Sequence, residues 1–419
     1  MKSNLPPNWS WVKLGDICTK LTDGSHYSPK SVSTGLPYIT VKDVNNDRID
    51  FDGCKRINRN DFNKLVENDC KPIKNDVLFS KDGTVGKVSI IDFEKEFVVL
   101  SSLAILRPNI KSVFPKYLFH FLKSSTFLNQ ALSKKKGVAI RRIILRDLKE
   151  LKITLPPLPE QKKIVQKIEE LFSGLDSGVV SIKKAKEQIK LYRQSVLVSA
   201  FIGKLIGNGN IDQKTGLPKG LKWVKNKDLL KYVTSGSRDW KKYYSGSGAR
   251  FIRTQDINTN RLILENAAYV MLPEKVEGKR SLVEKGDLLM TITGANVGKV
   301  AFIDFPIEEA YVSQSVALLK YIDKKITKYL WYYFQAPEFG KSFIDKLVYG
   351  MGRPVLSLAN MRDVDVLICP EEQQKLIISE IEKRYSEADN LEKAIDESLE
   401  KSEALRQSIL KQAFEGKLV

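Results

Sequence analysis

The sequence predicts an α+β protein in which two duplicated, mixed α/β domains are separated by two long antiparallel helices that form an intramolecular coiled coil. Three observations lead to this fold class. Most of the 419-residue chain repeats once, with its segments in the same order. Short β-branched runs alternate with Gly and Asn turns in the first part of each copy. A long series of apolar residues at steps of four and three closes each copy.

The repeat is clearest in RQSVLVSAFIGKL from Arg193, which returns as RQSILKQAFEGKL from Arg406. Further segments match when Leu5 is set against Leu217. They are TDGSH with TSGSR, YITVKDVNNDRI with FIRTQDINTNRL, KNDVLFSKDGTVGKVSIID with KGDLLMTITGANVGKVAFID, PKYLFHFLKSS with TKYLWYYFQAP, and PEQKKIV from Pro159 with EEQQKLI from Glu371. Solenoid repeats are roughly 20 to 50 residues long, so these longer copies are domain-sized. We predict globular domains at 1–158 and 207–370, and helices at 159–206 and 371–419.

Each predicted helix follows a Pro-bearing stretch, LPPLPEQ or CPEEQ, as expected for a helix start. A helix of about 40 residues is roughly 60 Å long, whereas the average helix has about 11 to 12 residues. So long an apolar stripe is most simply buried against the other helix of the same chain. The predicted seam consists of Ile164, Ile168, Leu171, Leu175, Ile182, Ile189 and Val196 in the first helix, and of Ile377, Ile381, Leu391, Ile395, Leu405 and Ile409 in the second.

Composition points to a polyanionic partner. The formal net charge is +19, and the first half of the chain carries most of the excess. Nucleic acid is the first candidate and an anionic membrane the second. The four cysteines are scattered without a CxxC pair, which favours reduced thiols over a disulfide framework or a zinc site. Neither a signal peptide nor a long apolar span is recognisable, so we expect a cytoplasmic protein without membrane contact.

The sequence lacks the common catalytic motifs. GTVGK and GANVGK have the wrong spacing for a phosphate-binding loop and are interpreted as β-turns. The two histidines, His26 and His120, are far apart and unrepeated, which argues against a His-centred triad and excludes HExxH zinc chemistry. Neither a GxGxxG fingerprint nor an Asn-Pro-Pro-aromatic motif occurs. We therefore expect no enzymatic activity, no metal and no cofactor in this chain.

Candidate DNA contacts lie in loops that match between the copies. Binding a duplex requires Lys or Arg for phosphate and polar or Arg side chains for base edges. GSRDWKKYY, from Gly236, combines a guanidinium with aromatics and two lysines, although it could equally be a surface turn. The KKKG run could be a merely solvated face. The candidates are Ser25, His26, Lys30, Lys134, Lys135, Lys136, Arg141 and Arg142 in the first copy, and Ser237, Arg238, Trp240, Lys241, Lys242, Tyr243, Tyr244, Arg253 and Arg353 in the second.

The PLPEQ-like step into a long helix, the RQSxLxxAFxGKL ending, and the GSR, GANVGK, VSQSVAL and GRPVLSLANMRDV segments together resemble the DNA specificity subunit of type I restriction-modification systems. The resemblance covers nearly all of the chain. It implies two target recognition domains, each reading one half of a bipartite, asymmetric site in double-stranded DNA. It also implies a helical spacer that docks two methyltransferase subunits and, through them, restriction subunits. S-adenosylmethionine, ATP and Mg²⁺ would then belong to the partner subunits.

The first copy departs from this pattern, because GVAIRRIILRDL stands where GMGRPVLSLANM stands in the second. No role can therefore be carried from Arg353 to the first copy. Three alternatives remain open: a specificity subunit serving a fused nuclease-methyltransferase, a coiled-coil nucleic-acid scaffold without sequence preference, and a self-contained nuclease or methyltransferase.

Overall fold

The computed structural model describes residues 5–134, 142–207, 212–213, 217, 219–274 and 278–419. The chain folds into two compact units. The first unit comprises residues 1–183 together with 396–419, and the second comprises residues 184–395. Each unit mixes helices and sheets, as the sequence predicts.

Among the residues described, the first unit contains eleven strands, four short α-helices, the first part of one long helix and the end of a second long helix. The strands are β1 Ser10–Lys13, β2 Cys18–Asp23, β3 Leu36–Ile39, β4 Val44–Asn45, β5 Arg48–Ile49, β6 Lys55–Ile57, β7 Val77–Ser80, β8 Val88–Ile90, β9 Val98–Val99, β10 Leu103–Pro108 and β11 Lys152–Leu155. The helices are α1 Arg59–Glu67, α2 Pro115–Leu122, α3 Ser125–Ser133, α4 Leu145–Lys149 and α5 Leu158–Phe201.

An antiparallel sheet of order β2-β10-β7-β8 forms the frame of the first unit. Its central strands β7 and β10 are apolar on both faces because both faces are covered. One face packs against α2, whose residues are all buried except Lys116. The other face packs against a smaller core that includes Ile39 and Phe97. A second sheet, of order β6-β3-β9, has β3 and β9 parallel.

The second unit repeats this arrangement. Its strands are β12 Lys222–Lys225, β13 Leu230–Ser235, β14 Tyr244–Ser245, β15 Ala249–Ile252, β16 Ile257–Asn258, β17 Arg261–Leu262, β18 Ala268–Val270, β19 Leu288–Thr291, β20 Val300–Phe302, β21 Ala310–Val312, β22 Val316–Tyr321 and β23 Asp365–Ile368. Its helices are α6 Thr327–Tyr333, α7 Gly340–Leu347, α8 Leu358–Asp363 and α9 Glu371–Phe414, the last shared with the first unit. The sheet β13-β22-β19-β20 has the same order as β2-β10-β7-β8.

A buried carboxylate just before the third strand in the order, β7 or β19, pairs with a basic side chain of the second strand, β10 or β22. Arg107 of β10 donates two hydrogen bonds of 2.9 Å to Asp76. At the matching positions Lys320 of β22 lies 2.9 Å from Asp287 and 2.8 Å from Glu284. Removing one partner of such a pair leaves an uncompensated buried charge, which costs several kcal/mol.

The two long helices are present, each with 44 residues, or about 66 Å. In the first unit residues 158–183 of α5 pack beside 396–414 of α9, and in the second unit residues 184–201 of α5 pack beside 371–395 of α9. Within each unit the start of one helix lies beside the end of the other, so the packing is antiparallel, as predicted.

The predicted seam has the right period but the wrong phase at alternate positions. Ile168, Ile189, Val196, Ile381 and Ile409 are buried. Leu391 and Leu405, however, are 59% and 51% exposed, so their assignment to the seam is wrong. Leu171 is only partly buried, whereas its neighbour Phe172 is buried. The remaining predicted positions are buried at Ile164 and Ile377 and partly buried at Leu175, Ile182 and Ile395.

The true seam runs one residue later at these alternate positions, which brings an aromatic and an arginine of each helix into it. In the second unit the Arg193 guanidinium lies 5.2 Å from the Tyr385 ring centre, and it donates to Asp389 at 2.6 Å. In the first unit the Arg406 guanidinium lies 4.4 Å from the Phe172 ring centre and donates to Asp176. We call each of these an arginine clamp.

The two clamps occupy equivalent positions of the repeat, because Phe172, Asp176 and Arg193 match Tyr385, Asp389 and Arg406. The helix starts show the same register. Gln161 and Gln374 are both buried, and their side-chain amides donate to the carbonyls of Pro156 and Cys369 at 2.9 and 2.7 Å. Gln161 therefore corresponds to Gln374, and the match of Pro159 with Glu371 is wrong by one residue.

Each helix ends inside a core. In the first unit the Phe414 ring packs edge-on against Tyr117 and Phe121, with ring centres 5.3 and 4.8 Å away. In the second unit Phe201 packs in the same way against Tyr329 and Tyr333, at 5.4 and 5.2 Å. The core of each unit is thus completed by the end of the helix that follows the other globular domain in the chain.

The buried His120 predicts an acid-sensitive first unit. His120 packs beneath the Phe172 ring, 5.8 Å away, and burial, aided by Lys123, Lys116 and Arg406, lowers its pKa to about 3. Since the unfolded chain protonates near pH 6.5, this contribution to stability is present above that pH and is lost as the pH falls toward 3. From pH 7 to 5 it removes about 2 kcal/mol of unfolding free energy.

The variant His120→Tyr, which copies Tyr332 at the matching position of the second unit, should lose this pH dependence. Urea unfolding at pH 7 and 5 measures it, and His26→Gln provides the control because His26 is exposed. An equal loss of stability on acidification in wild type and His120→Tyr would contradict the assignment.

Candidate nucleic-acid interface

Three loop segments of the first unit converge on one edge of its frame sheet. Residues 24–30 follow β2, residues 81–86 follow β7, and residues 142–143 precede α4. The Ser25 amide donates to the Val99 carbonyl at 2.9 Å, and the Ile143 amide donates to the Lys81 carbonyl at 2.9 Å. The backbones of Asp82 and Arg142 form an isolated antiparallel β-bridge. We call this surface the first loop edge.

On the first loop edge the candidates differ in availability. The Ser25 hydroxyl is occupied, because it donates to the Tyr27 carbonyl at 2.6 Å and accepts from the Tyr27 amide at 3.0 Å. Ser25 therefore shapes the loop. The side chains of His26, Lys30 and Arg142 are exposed and could reach a ligand.

A buried ion pair lies beneath these side chains. The Lys81 ammonium is 3.2 Å from Asp23 and 3.8 Å from Asp82, and only 6% of its side chain is exposed. The exposed His26 ring lies 3.2 Å from the same Asp23. This cluster ties the loop after β2 to the turn after β7, so His26 is held on a supported loop.

The second unit has a matching surface, which we call the second loop edge. It is formed by residues 235–244, 292–297 and 349–356. The Gly236 amide donates to the Ser313 carbonyl at 3.2 Å, and the Leu356 amide donates to the Ile292 carbonyl at 2.9 Å. The backbone β-bridge between Thr293 and Val355 corresponds to the β-bridge between Asp82 and Arg142 in the first unit.

In the GSRDWKKYY loop Arg238, Lys242 and Tyr244 are exposed, while Ser237 and Tyr243 are partly buried. Trp240 is the exception. It is only 4% exposed and packs on Phe251 and Tyr311, with ring centres 5.9 and 5.4 Å away. The buried indole anchors the loop, so the prediction that Trp240 contacts DNA directly is wrong.

Arg253 is likewise engaged within the protein. It donates to both carboxylate oxygens of Asp256 at 3.1 Å and to the Asn266 carbonyl at 2.9 Å. The hydrogen bonds to the Asp256 carboxylate raise the pKa of its guanidinium. Arg253, Ser237 and Gln314 line a cavity of about 230 Å³, open to the second loop edge. Arg253 shapes this cavity, with its charge already paired to Asp256.

The remaining candidates are distributed as follows. Lys134 is exposed at the end of α3, and Arg353 is exposed in residues 349–356. Lys135, Lys136, Arg141 and the side chain of Lys241 lie outside the described residues. The structure also exposes Tyr27, Tyr349 and Met351 on the two loop edges. Sequence reasoning missed these three, although Tyr27 adjoins His26 and Met351 lies between two glycines.

Neither a metal-binding cluster nor a membrane-spanning helix is found among the described residues. In that part of the chain no group of three or more His, Cys, Asp or Glu side chains could hold a metal ion. The helices found there include none long and apolar enough to span a membrane. Both loop edges expose cationic and aromatic side chains on supported loops.

Known proteins share this architecture. The chain is 24% identical to the StySPI specificity subunit, a type I restriction enzyme subunit of Salmonella potsdam, over 100% of this chain and 90% of that protein. It is 24% identical to the EcoKI specificity subunit of Escherichia coli K12, over 99% and 90%. The HsdS subunit of Thermoanaerobacter tengcongensis has a similar fold, with a TM-score of 0.54, 21% identity and 100% coverage of both chains.

A second solved structure, from work on complex assembly and conformational transition of the type I R-M system, has a TM-score of 0.72 at 20% identity and covers 99% of each chain. These likenesses, together with the two frame sheets and the paired long helices, confirm the predicted α+β fold with its duplicated domains and coiled coil. The family model of the type I restriction modification DNA specificity domain matches twice, at residues 6–190 and 218–401. The chain therefore belongs to the type I restriction-modification DNA specificity family.

Proposed function

We propose that this chain is the non-catalytic DNA-reading subunit of a type I restriction-modification complex, and that each unit reads one half of a bipartite, asymmetric target. The observation that carries this proposal is the pair of equivalent frame sheets with unlike loops. SHYSPKSV and SRDWKKYY occupy corresponding loops but share almost nothing after Ser25 and Ser237. Two such edges suit two different half-sites.

In this proposal the roles of the side chains follow from their exposure. Arg238 and His26 are exposed on supported loops, which suits base-edge contacts in a groove. Lys30, Lys134, Arg142 and Lys242 would supply salt-dependent contacts to phosphate. Ser25, Trp240 and Arg253 would act indirectly, by holding the loops that carry these groups.

The helical pair would dock two methyltransferase subunits, with restriction subunits joining through them. Ser195 and Ser408 occupy matched positions of the repeated phrase and are both exposed, as are Lys204 and Lys417. Two identical partners require such repeated surfaces. Cofactors for methyl transfer and for ATP-driven steps would be held by the partners, and the complex would work in the cytoplasm on double-stranded DNA.

Binding selection from random duplex DNA, with the chain assembled with the methyltransferase subunit of its own system, tests the central proposal. We expect a split motif with a fixed gap. Exchanging the loop segments of the two edges should exchange the two halves of the motif. Enrichment of no sequence at physiological salt would contradict the proposal and favour a scaffold that binds DNA without sequence preference.

Arg238→Ala should relax specificity in one half-site only. Loss of a bidentate guanidinium contact typically costs about 1 to 3 kcal/mol at one base pair. Affinities for the selected duplex and for single-base variants across both half-sites measure this, and Lys242→Ala is the matched control within the same loop. If Arg238→Ala weakens binding equally for every sequence, Arg238 contacts phosphate.

Charge reversal of Lys134, Lys135 and Lys136 should flatten the salt dependence of DNA binding. Each phosphate contact contributes about 0.9 to the slope of log affinity against log salt concentration, so three contacts give at most about 2.7. Reversal of Lys162 and Lys163, which are exposed at the start of α5, serves as the control. An unchanged slope would remove the Lys134 run from the DNA-binding surface.

A further inference from the structure

A short hairpin with an apolar tip projects from the second loop edge. The Tyr349 amide donates to the Val355 carbonyl at 3.0 Å, and the Val355 amide donates back at 2.8 Å. The turn between them contains Gly350, Met351, Gly352 and Arg353. We call residues 349–355 the Met351 hairpin.

The tip of the hairpin is exposed to solvent, and Gly350 fixes the backbone conformation of the turn. Met351 has a relative exposure of 107%, Tyr349 is 56% exposed, and Arg353 is also exposed. Gly350 has φ +93°, and a Cβ there would lie 2.7 Å from the Arg353 carbonyl oxygen. Only glycine fits this turn without strain, so the exposure of Met351 is a consequence of a defined turn.

The base of the hairpin is anchored in the frame of the second unit. The Gly294 amide donates to the Pro354 carbonyl at 2.9 Å, and Thr293 bridges Val355. The next residue, Leu356, is buried in the main core. Because the base is anchored and the tip is exposed, the hairpin can insert the Met351 side chain into a binding partner without moving its own backbone.

The hairpin adjoins the Arg238 loop. The Ile292 amide donates to the Ser315 carbonyl at 2.9 Å, and Ile292 in turn accepts from Leu356 at the base of the hairpin. Ser315 lines the same cavity as Ser237 and Arg253. The Met351 hairpin and the candidate base-reading loop therefore share one surface.

We propose that Met351 inserts as a wedge between two stacked base pairs of the DNA, while Arg353 contacts the adjacent minor groove or phosphate. This inference rests on the proposed function and adds a mode of DNA distortion to it. Proteins that kink DNA use single apolar side chains, methionine among them, to open a base step from the minor groove. An arginine beside the wedge suits the negative potential of a narrow minor groove.

The chemistry of the hairpin favours DNA over a protein partner. A stable protein interface buries about 1,200 to 2,000 Å² of total surface, whereas the apolar part of this tip is one methionine and one tyrosine. The hairpin contains no acidic residue, and its own side chains include a cation. In the sequence of the first copy Val138 stands where Met351 stands, but Ile140 stands where Arg353 stands, and this segment lies outside the described residues.

The test uses the complex of this chain with its methyltransferase subunit and the selected duplex, with 2-aminopurine replacing adenine at successive positions. Insertion of Met351 should raise the fluorescence at one step, and energy transfer between labelled duplex ends should report a bend. Met351→Ala should abolish both signals and weaken binding about tenfold, which corresponds to about 1.4 kcal/mol. Met351→Leu should retain both signals.

Ile322→Ala is the matched control, because Ile322 is 70% exposed but follows the opposite end of β22 from Ser315. Unchanged fluorescence and bending in Met351→Ala would overturn the wedge while leaving the split motif intact. If wild type selects no motif, the proposed function fails first. The same probe series on a duplex of arbitrary sequence then tests the wedge. A fluorescence signal that wild type gives and Met351→Ala loses supports the wedge. If wild type gives no signal, or if Met351→Ala keeps it, the wedge is overturned.

Discussion

The structure depends on the ends of the long helices, since Phe414 completes the core of the first unit and Phe201 that of the second. Each ring meets two aromatic rings of α2 or α6 edge-on, an arrangement that adds to the energy of burial. An arginine clamp lies two turns earlier on the same helix and adds an ion pair and a cation-π contact. Neither globular domain therefore has a complete core without a helix that follows the other domain in the chain.

This constraint accounts for much of the repeated phrase RQSxLxxAFxGKL. Its Arg joins a clamp, and its first Leu, its Ala and its Phe are buried in both copies. Their identity follows from packing on equivalent cores. Only the outward positions, such as Ser195 with Ser408, are free to present a common surface to partner subunits. Most residues that the two copies share in this phrase are thus required for packing. The few shared residues that are exposed form a candidate docking surface.

The sequence predicted the duplication, the mixed domains and both long helices, because these follow from repetition and periodicity. It misjudged the phase of the seam because hydrophobic periodicity favours Leu391 and Leu405. The actual seam takes the next residues, Glu392 and Arg406, whose charged groups pair with Arg193 and Asp176 on the facing helix. It misassigned Trp240 for a related reason, since an aromatic within a basic loop looks the same whether it anchors the loop or contacts DNA. Burial separates these cases, and burial depends on distant segments such as Tyr311.

Stability and the proposed DNA recognition lie in different parts of each unit. The buried pairs Asp76 with Arg107 and Asp287 with Lys320 lie within the frame sheets, beneath which α2 and α6 pack. The loop edges are attached to these frames mainly by backbone hydrogen bonds, such as those from Ile143 and Leu356, which any side chain permits. Exposed loop side chains can therefore change with little effect on folding. A frame of this kind allows one fold to carry different loop sequences, and the two halves of this chain are two such cases.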